Sequence, residues 1–342
     1  MEEMEIRAPA ESGIEALARF TCEVADAQGQ SLLVDFADAK FTSPAWLAIV
    51  GGALRAARHR YPGVRRRAAN HRQLHYAAHL GFFRYFGLSY GLAPAAAAGS
   101  DTYVPLTEHS TEDVRKHARR LRLPAGQLVH EEAARLAIVL TQERQGALHD
   151  TVTYSIREIV RNVIEHSRAP SYTVAAQWWP TLSQVELVVT DEGCGLAASL
   201  RENPHLAIAD DEAALRQAIL PGVSSKAWRE GKRRDDWANS GYGLFMTQGL
   251  SASGGSFGIL SGARGILVAK GETKVFPARW PGVAVVLRLE TREMAALRRR
   301  LALLRTEGAL LERDIAGAAR HGASGASQTV RPGGRKPERS DG

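Results

Sequence analysis

A carboxylate and a carboxamide stand four residues apart near the middle of the sequence, at Glu158 and Asn162. They belong to the segment 148–166, whose apolar residues recur with the spacing of an amphipathic helix. Residues so spaced on a helix point the same way, so both side chains can serve one site. The carboxylate would orient or deprotonate a water molecule, and the amide oxygen is a hard ligand suited to Mg²⁺. The same pair is common on solvated helix faces, so it needs support from other motifs.

A second candidate residue follows a predicted buried strand, 184–190. The strand leads to Asp191, and Gly193 and Gly195 come directly after it. An aspartate so placed can accept a hydrogen bond from an exocyclic amine, and the glycines let the backbone approach a flat ring. An ordinary turn is the alternative interpretation of these residues.

A third candidate segment, 239–245, opens another helical pattern. Its candidate binding residues are Gly241, Tyr242, Gly243 and Leu244. Free backbone N–H groups at a helix start, together with the helix dipole, suit a triphosphate. Before it lies a long polar stretch with Ser225, Lys226 and the basic run 232–234. This composition favours a mobile lid over phosphates, and a disordered loop is the alternative.

Taken in order, these motifs resemble those of the GHKL superfamily, which includes gyrase-type topoisomerases, large heat-shock chaperone ATPases, histidine kinases and MutL-type repair proteins. The resemblance covers residues 129–291. The family's N-box is matched by Glu158, Asn162 and His166, its first glycine box by Asp191, Gly193 and Gly195, and its second by Gly241, Gly243 and Leu244.

The resemblance implies a Bergerat fold that holds ATP between helices and sheet. It implies that Asn162 holds Mg²⁺, that Asp191 contacts the adenine amine, and that Glu158 is the base for hydrolysis. Two positions depart from the family pattern. Val283 stands where many members carry a threonine that helps to bind adenine through water, and Asn239 stands where another glycine is frequent.

These residues need a domain over 129–291 to bring them together. Helical spacing covers 131–143 and 148–166, and strand-like runs come later. The predicted strands are 172–178, 184–190, 257–261, 266–269 and 283–289. Because helices precede the strands of one sheet, the order favours an α/β two-layer sandwich over a Rossmann alternation.

A smaller α/β unit is predicted over residues 1–95. An apolar run, 32–36, indicates a strand, and Pro44 suits the first turn of the helix that follows. This order resembles the STAS domains of anti-sigma-factor antagonists, in which a serine near the helix start accepts phosphate from a partner GHKL kinase. Here Pro44 and Ala45 occupy the acceptor region, and Ser43 lies just before them. The resemblance implies a recognition or oligomerisation module without a phosphoswitch, and an unrelated small α/β domain is the alternative.

The remaining segments flank these two units. Residues 96–128 are interpreted as a linker and connector. Apolar positions recur amid Arg and Glu over 292–317, which predicts a C-terminal helix. The Gly, Ser, Arg and Pro of 318–342 predict a disordered tail.

The composition narrows the class of protein. The chain has 342 residues, 44% of them hydrophobic, so it has material for packed cores. The longest apolar run, 45–54, is far short of the ~20 residues of a membrane helix. The acidic start has no apolar signal segment. Cys22 and Cys194 lack the paired spacing of a metal site. We therefore expect a cytoplasmic protein without a membrane segment.

The net charge of +7 has a local origin. Residues 53–100 carry eight arginines and no acidic residue. The basic patch consists of Arg55, Arg58, Arg60, Arg65, Arg66, Arg67 and Arg72. It could contact the phosphates of a nucleic acid, but a solvated surface is the more usual role of such runs.

Three functions fit these motifs. The first is a Mg²⁺-dependent GHKL ATPase that forms ADP and phosphate. Its nucleotide state would switch contacts with a protein partner or a second copy, through the STAS-like unit and the C-terminal helix. The second is a protein kinase of the anti-sigma serine kinase or histidine kinase type, although His130 lies too close to Glu158 for an acceptor hairpin. The third is a nucleotide-binding module with an inactive ATPase.

Overall fold

Two β-sheets, one parallel and one antiparallel, organise the chain, and α-helices pack against them. The computed structural model describes residues 3–27, 31–123, 125–226, 241–251 and 254–318. The expected mixed α/β class is therefore confirmed.

The first sheet has three parallel strands in the order β1-β2-β3: β1 (Glu3–Arg7), β2 (Ser31–Asp35) and β3 (Arg66–Ala69). Parallel neighbours need crossover connections, and helices α1 (Ile14–Asp26) and α2 (Pro44–Arg60) supply them. These five elements are the frame of the N-terminal unit.

Helix α2 begins where the sequence predicts a helix start. Ser43 caps it, because its Oγ accepts a hydrogen bond from the Trp46 N–H at 3.3 Å, and Pro44 occupies the first turn. At the other end, the Arg66 guanidinium donates to the Ala57 carbonyl at 2.7 Å. Ser43 is buried, and its hydroxyl is engaged in this cap.

Two short helices close the N-terminal unit: α3 (His75–His79) and α4 (Phe82–Tyr85). The Phe82 ring packs against the rings of Phe36 and Trp46, with centroids 6.0 and 4.9 Å away. This aromatic cluster fixes the end of the unit against β2 and α2.

The second sheet has five antiparallel strands in the order β4-β5-β6-β8-β7. They are β4 (Tyr103–Ser110), β5 (Ser171–Trp179), β6 (Gln184–Asp191), β7 (Gly255–Ala269) and β8 (Glu272–Glu290). The predicted strands 257–261 and 266–269 are parts of one strand, β7, with an irregularity at Gly262. The segment interpreted as a connector supplies β4, which pairs with β5 at the edge of the sheet.

In the part of the chain that the structure describes, seven α-helices accompany the second sheet. They are α5 (Thr111–Leu121), α6 (Ala125–Thr141), α7 (Ala147–Asn162), α8 (Gly195–Leu200), α9 (Asp211–Ala218), α10 (Gly243–Ser251) and α11 (Met294–Leu311). Buried residues of α7, such as Ile156 and Ile159, share one core with Leu187 and Val189 of β6. This core fills one face of the sheet.

The opposite face of the second sheet is covered by the N-terminal unit. Ala175, Val188 and Val286 point to this side and share a core with Trp46 and Leu47 of α2. Alternate residues of a strand face opposite sides, so the sheet separates two cores. The predicted two-layer domain therefore has a third layer on its back, formed by the N-terminal unit.

The C-terminal helix α11 is followed by a short 3₁₀ turn, Glu312–Asp314. The predicted tail lies outside the described residues from position 319 onward. Within the described ranges, no helix combines the length and the apolar character that crossing a membrane requires.

Candidate functional site

A pocket opens between the end of α7, the turn after β6 and the start of α10. Most of its wall is apolar and includes Ile159, Val163, Val189, Leu200, Ala218, Val223, Val283 and Val285. Its polar wall residues are Asn162, His166, Ser167, Asp191, Ser199, Ser224 and Ser225. A few polar groups converging in an apolar cleft are typical of a small-molecule site.

Residues predicted from four separate sequence segments meet in this wall. Those that line it are Asn162, Asp191, Gly195, Ser225, Gly241, Gly243 and Leu244. Four other predicted site residues do not line it: Glu158, Gly193, Lys226 and Tyr242. The basic run 232–234 lies outside the described residues.

Asp191 ends β6 with its side chain almost fully buried. Its Oδ1 accepts a hydrogen bond from the Gly193 N–H at 2.8 Å. Burial raises the pKa of Asp191 from 3.8 to about 7, because desolvation disfavours the charged carboxylate. Gly193 does not line the pocket, but its backbone N–H holds the Asp191 carboxylate in place.

The end of α7 fits against the same turn. Beyond Asn162 the helix continues as a π-helical turn, Val163–Ser167, a feature frequently found at functional sites. The Ser167 carbonyl accepts a hydrogen bond from the Cys194 N–H at 2.8 Å. The helix end and the first glycine turn are thereby joined.

His166 lies in the pocket wall beside Ser225, with 3.1 Å between its Nδ1 and the serine Oγ. Burial, with nearby Lys226 and Arg161, lowers the pKa of His166 to about 4, so the imidazole is neutral at pH 7. Lys226 stays outside the wall, and its Nζ donates to the Glu165 carbonyl at 3.2 Å.

The second glycine segment turns sharply into α10. Gly241 has a φ of +74°, and a Cβ there would lie 2.5 Å from the carbonyl carbon of Gly222. Only glycine tolerates both conditions. Gly243 and Leu244 then begin the helix in the pocket wall, so the start of α10 borders the cavity.

Tyr242 turns away from the pocket. It is fully buried, and its hydroxyl donates a hydrogen bond to the Glu312 carboxylate behind α10. The prediction that Tyr242 binds the ligand directly is thus not supported by its position. Its hydrogen bond to Glu312 instead connects the second glycine segment with the segment after α11.

Removing the hydrogen bond between Tyr242 and Glu312 should lower the free energy of unfolding. Tyr242→Phe deletes a buried hydroxyl that bonds a carboxylate, and we expect a loss of about 1–3 kcal/mol in the free energy of unfolding. Urea denaturation measures this quantity. Tyr76→Phe is a matched control, because its hydroxyl bonds Gln177 at 3.0 Å on the exposed surface and should matter less. Equal effects of both variants would contradict the prediction.

Glu158 and Asn162 occupy different places despite their spacing. Asn162 lines the pocket, whereas the Glu158 carboxylate is buried behind Gly243, where a Cβ would lie 2.7 Å from Oε2. Oε1 accepts hydrogen bonds from Arg157 at 2.6 Å and from Arg161 at 3.3 Å. Of the predicted pair, only Asn162 therefore lines the cavity, and two arginines of the same helix hold Glu158 Oε1.

Three arginines of the basic patch make hydrogen bonds or ion pairs within the protein. Arg66 binds backbone carbonyls at the end of α2, Arg67 pairs with Glu3, and Arg55 pairs with Glu108 at 2.6 Å. These contacts explain three of its arginines without a nucleic acid. Among the described residues, no group of three or more His, Cys, Asp or Glu could hold a metal ion.

Three residues that support the site carry no local signal in the sequence. Gly282 leaves room for the site, since a Cβ there would lie 2.4 Å from the Asp191 carbonyl oxygen. Ser261 donates to the Gly282 carbonyl at 2.9 Å, and Trp280 donates to the Asp191 carbonyl at 3.0 Å. All three come from β7 and β8, which pair with each other and bring them to β6.

Comparisons with known proteins supply no relative for this chain. No family model, no curated protein and no solved structure matches it. Its function must therefore be inferred from the pocket and the residues around it.

Proposed function

We propose that the pocket binds ATP with Mg²⁺ and that the chain is a GHKL-type ATPase of Bergerat fold. The observation that carries this proposal is the convergence of Asn162, Asp191 and Gly241 in one pocket, although they come from three distant segments. In the proposed cycle the protein hydrolyses ATP to ADP and phosphate, and its nucleotide state switches contacts with a partner.

The adenine would bind at the Asp191 end of the pocket. Apolar side chains such as Ile159, Val189 and Val283 offer surfaces for a flat ring, and the buried carboxylate can accept the exocyclic amine. Val283 pairs with Asp191 across the sheet, so an apolar side chain stands beside the position that would contact adenine.

The phosphates would bind at the start of α10. Gly241 and Gly243 line the cavity there, and a helix N-terminus with free backbone N–H groups favours anions. Lys226 and Ser225 stand at the same end, close to the end of α7. Lys226 donates one hydrogen bond to the Glu165 carbonyl, and its ammonium group has further N–H donors for a phosphate.

Asn162 is the proposed protein ligand of Mg²⁺. Mg²⁺ keeps several waters and binds few protein oxygens together with phosphates, so one amide oxygen in the wall suits it. Asn162→Ala should lower ATP affinity to the level that the unchanged protein shows in EDTA. Calorimetry with and without Mg²⁺ measures this. If both affinity and Mg²⁺ dependence survive the change, Asn162 does not hold the metal.

The N-terminal unit is proposed to be a STAS-like module that recognises a protein partner or a second copy. Its buried Ser43 is engaged in capping α2, which supports a module without a phosphoswitch. The C-terminal helix α11 is the other proposed contact surface, and its exposed Leu303 and Leu310 stand two turns apart on one face.

One observation favours a second function, a nucleotide-binding module with an inactive ATPase. The Glu158 carboxylate is paired with two arginines and does not line the pocket. A carboxylate held by two arginines away from the cavity wall is less available to a water molecule in the pocket.

The products of nucleotide turnover distinguish these functions. Purified full-length protein with Mg²⁺ and γ-labelled ATP should release free phosphate and retain no stable label. Stoichiometric label on Ser43 or on a histidine would contradict the ATPase function and indicate a kinase. Tight ATP binding without any turnover would favour the inactive module, and absence of binding would refute the proposed function.

A further inference from the structure

Helix α2 of the N-terminal unit approaches the candidate site from behind. Helix α2 meets β6 and the turn after it at successive levels, first where the Ala45 N–H donates to the Glu186 carboxylate at 2.8 Å. Further along, Gly52 faces Trp280, and Arg55 reaches Glu192, the residue after Asp191. The contacts run toward the end of β6, where the site begins.

Trp280 forms the central link of this series. Its indole is buried, and its Nε1 donates to the Asp191 carbonyl at 3.0 Å. On its other side the ring lies against α2, where a Cβ at Gly52 would stand 2.5 Å from the ring atom Cη2. One side chain therefore connects the backbone of α2 with the backbone of Asp191.

The side chain next to Asp191 is also held by α2. Glu192 Oε1 lies 3.6 Å from the Arg55 Nε, and its Oε2 lies 3.7 Å from the His59 Nδ1. Arg55 is itself fixed by Glu108 of β4 at 2.6 Å. The carbonyl of Asp191 is thus held by Trp280 of β8, and the side chain of the next residue, Glu192, is held by α2.

We propose that Trp280 is a positioning residue through which helix α2 sets the affinity of the site for the adenine base. The proposal rests on the function proposed above and adds its regulation. A carboxylate binds an amine best when its backbone is fixed beforehand, and here the fixing group, the Trp280 indole of β8, packs against helix α2 of the proposed partner-binding module. A partner that moves α2 changes nucleotide affinity, and by reciprocity nucleotide changes the affinity for that partner.

Two neighbouring glycines of α2 provide a matched test. Gly52→Ala places a methyl group against the Trp280 ring, whereas Gly51→Ala places one 2.8 Å from the Tyr85 ring, on the side of α4. Both changes crowd a buried aromatic ring and should lower the melting temperature. Only Gly52→Ala should weaken ATP binding, by about three- to tenfold, and neither should alter the affinity for inorganic tripolyphosphate.

Trp280→Phe keeps an aromatic ring and removes the N–H that holds Asp191. It should also weaken ATP about three- to tenfold without affecting tripolyphosphate, and it keeps the proposal testable if Gly52→Ala does not fold. Calorimetry on the full-length variants measures both ligands. If unchanged protein binds ATP and both variants match Gly51→Ala, this inference is wrong and the proposed function stands. If unchanged protein does not bind ATP, both are wrong.

Discussion

Asp191→Asn is expected to weaken ATP binding by about ten- to a hundredfold. Oδ1 of this residue already accepts the Gly193 N–H. An asparagine would keep that bond and turn its own N–H₂ group toward the adenine amine, so that two donors would face each other. Inorganic tripolyphosphate, which has no base, should bind both proteins alike. Calorimetry with the two ligands separates loss of base recognition from general damage.

The same substitution should stabilise the nucleotide-free protein at neutral pH. Burial raises the pKa of Asp191 from 3.8 to about 7, so in this interval the folded protein binds a proton that the unfolded chain releases. Stability therefore falls as the pH rises from about 4 to about 7, by up to about 4 kcal/mol for a group acting alone. Asparagine cannot ionise, so urea unfolding should show a larger gain at pH 8 than at pH 5.

Nucleotide binding should report the same ionisation. The adenine amine needs the charged carboxylate, so ATP binding near pH 6 should release a proton from Asp191 and weaken as the pH falls. Titrations in two buffers of different ionisation enthalpy measure this release, which Asp191→Asn should abolish. Unchanged ATP affinity in Asp191→Asn would show that Asp191 does not contact adenine.

Local spacing was sufficient to predict the elements that carry the motifs. The helical period over 148–166 predicted α7, and the apolar run before Asp191 predicted β6. Glycines at 241 and 243 predicted the start of a helix, and α10 begins there. In each case the deciding interactions lie within a few residues of one another, so the sequence pattern contains them.

Contacts between distant segments could not be predicted in the same way. Gly52 and Trp280 come from different layers, and neither residue has a neighbour in sequence that indicates the other. The connector 96–128 has little apolar periodicity, and its strand β4 exists because β5 offers an open edge. Pairing partners of this kind are decided by the assembled sheet.

Side-chain orientation could not be predicted from the sequence even where the position of the residue was predicted correctly. Tyr242 lies on the second glycine segment as expected, but a carboxylate seventy residues later, Glu312, draws its hydroxyl to the other side. Glu158 is held by its own helix neighbours Arg157 and Arg161. Helical spacing predicts which face of the helix a residue occupies. The buried charged groups around the residue decide where its polar atoms point.

The largest kinetic effect is expected at Glu158. If its carboxylate acts as the general base, Glu158→Gln should slow ATP hydrolysis by about 10²- to 10⁴-fold. Its Oε2 faces Gly243 at the proposed phosphate end, so the base could act there while Oε1 stays paired. ATP affinity should change little, because Asp191, Asn162 and the glycine turns are untouched. Single-turnover hydrolysis and calorimetry measure the two quantities.

A matched control separates chemistry from charge balance. Glu165→Gln removes another carboxylate that pairs with Arg161, at 3.1 Å, without a proposed role in hydrolysis. Glu158→Gln leaves two buried guanidinium groups with less compensation, so its stability should fall. The double variant Glu158→Gln with Arg161→Gln removes one charge of each sign and should recover part of that loss while staying slow. Hydrolysis at the unchanged rate in a folded Glu158→Gln protein would exclude Glu158 as the base.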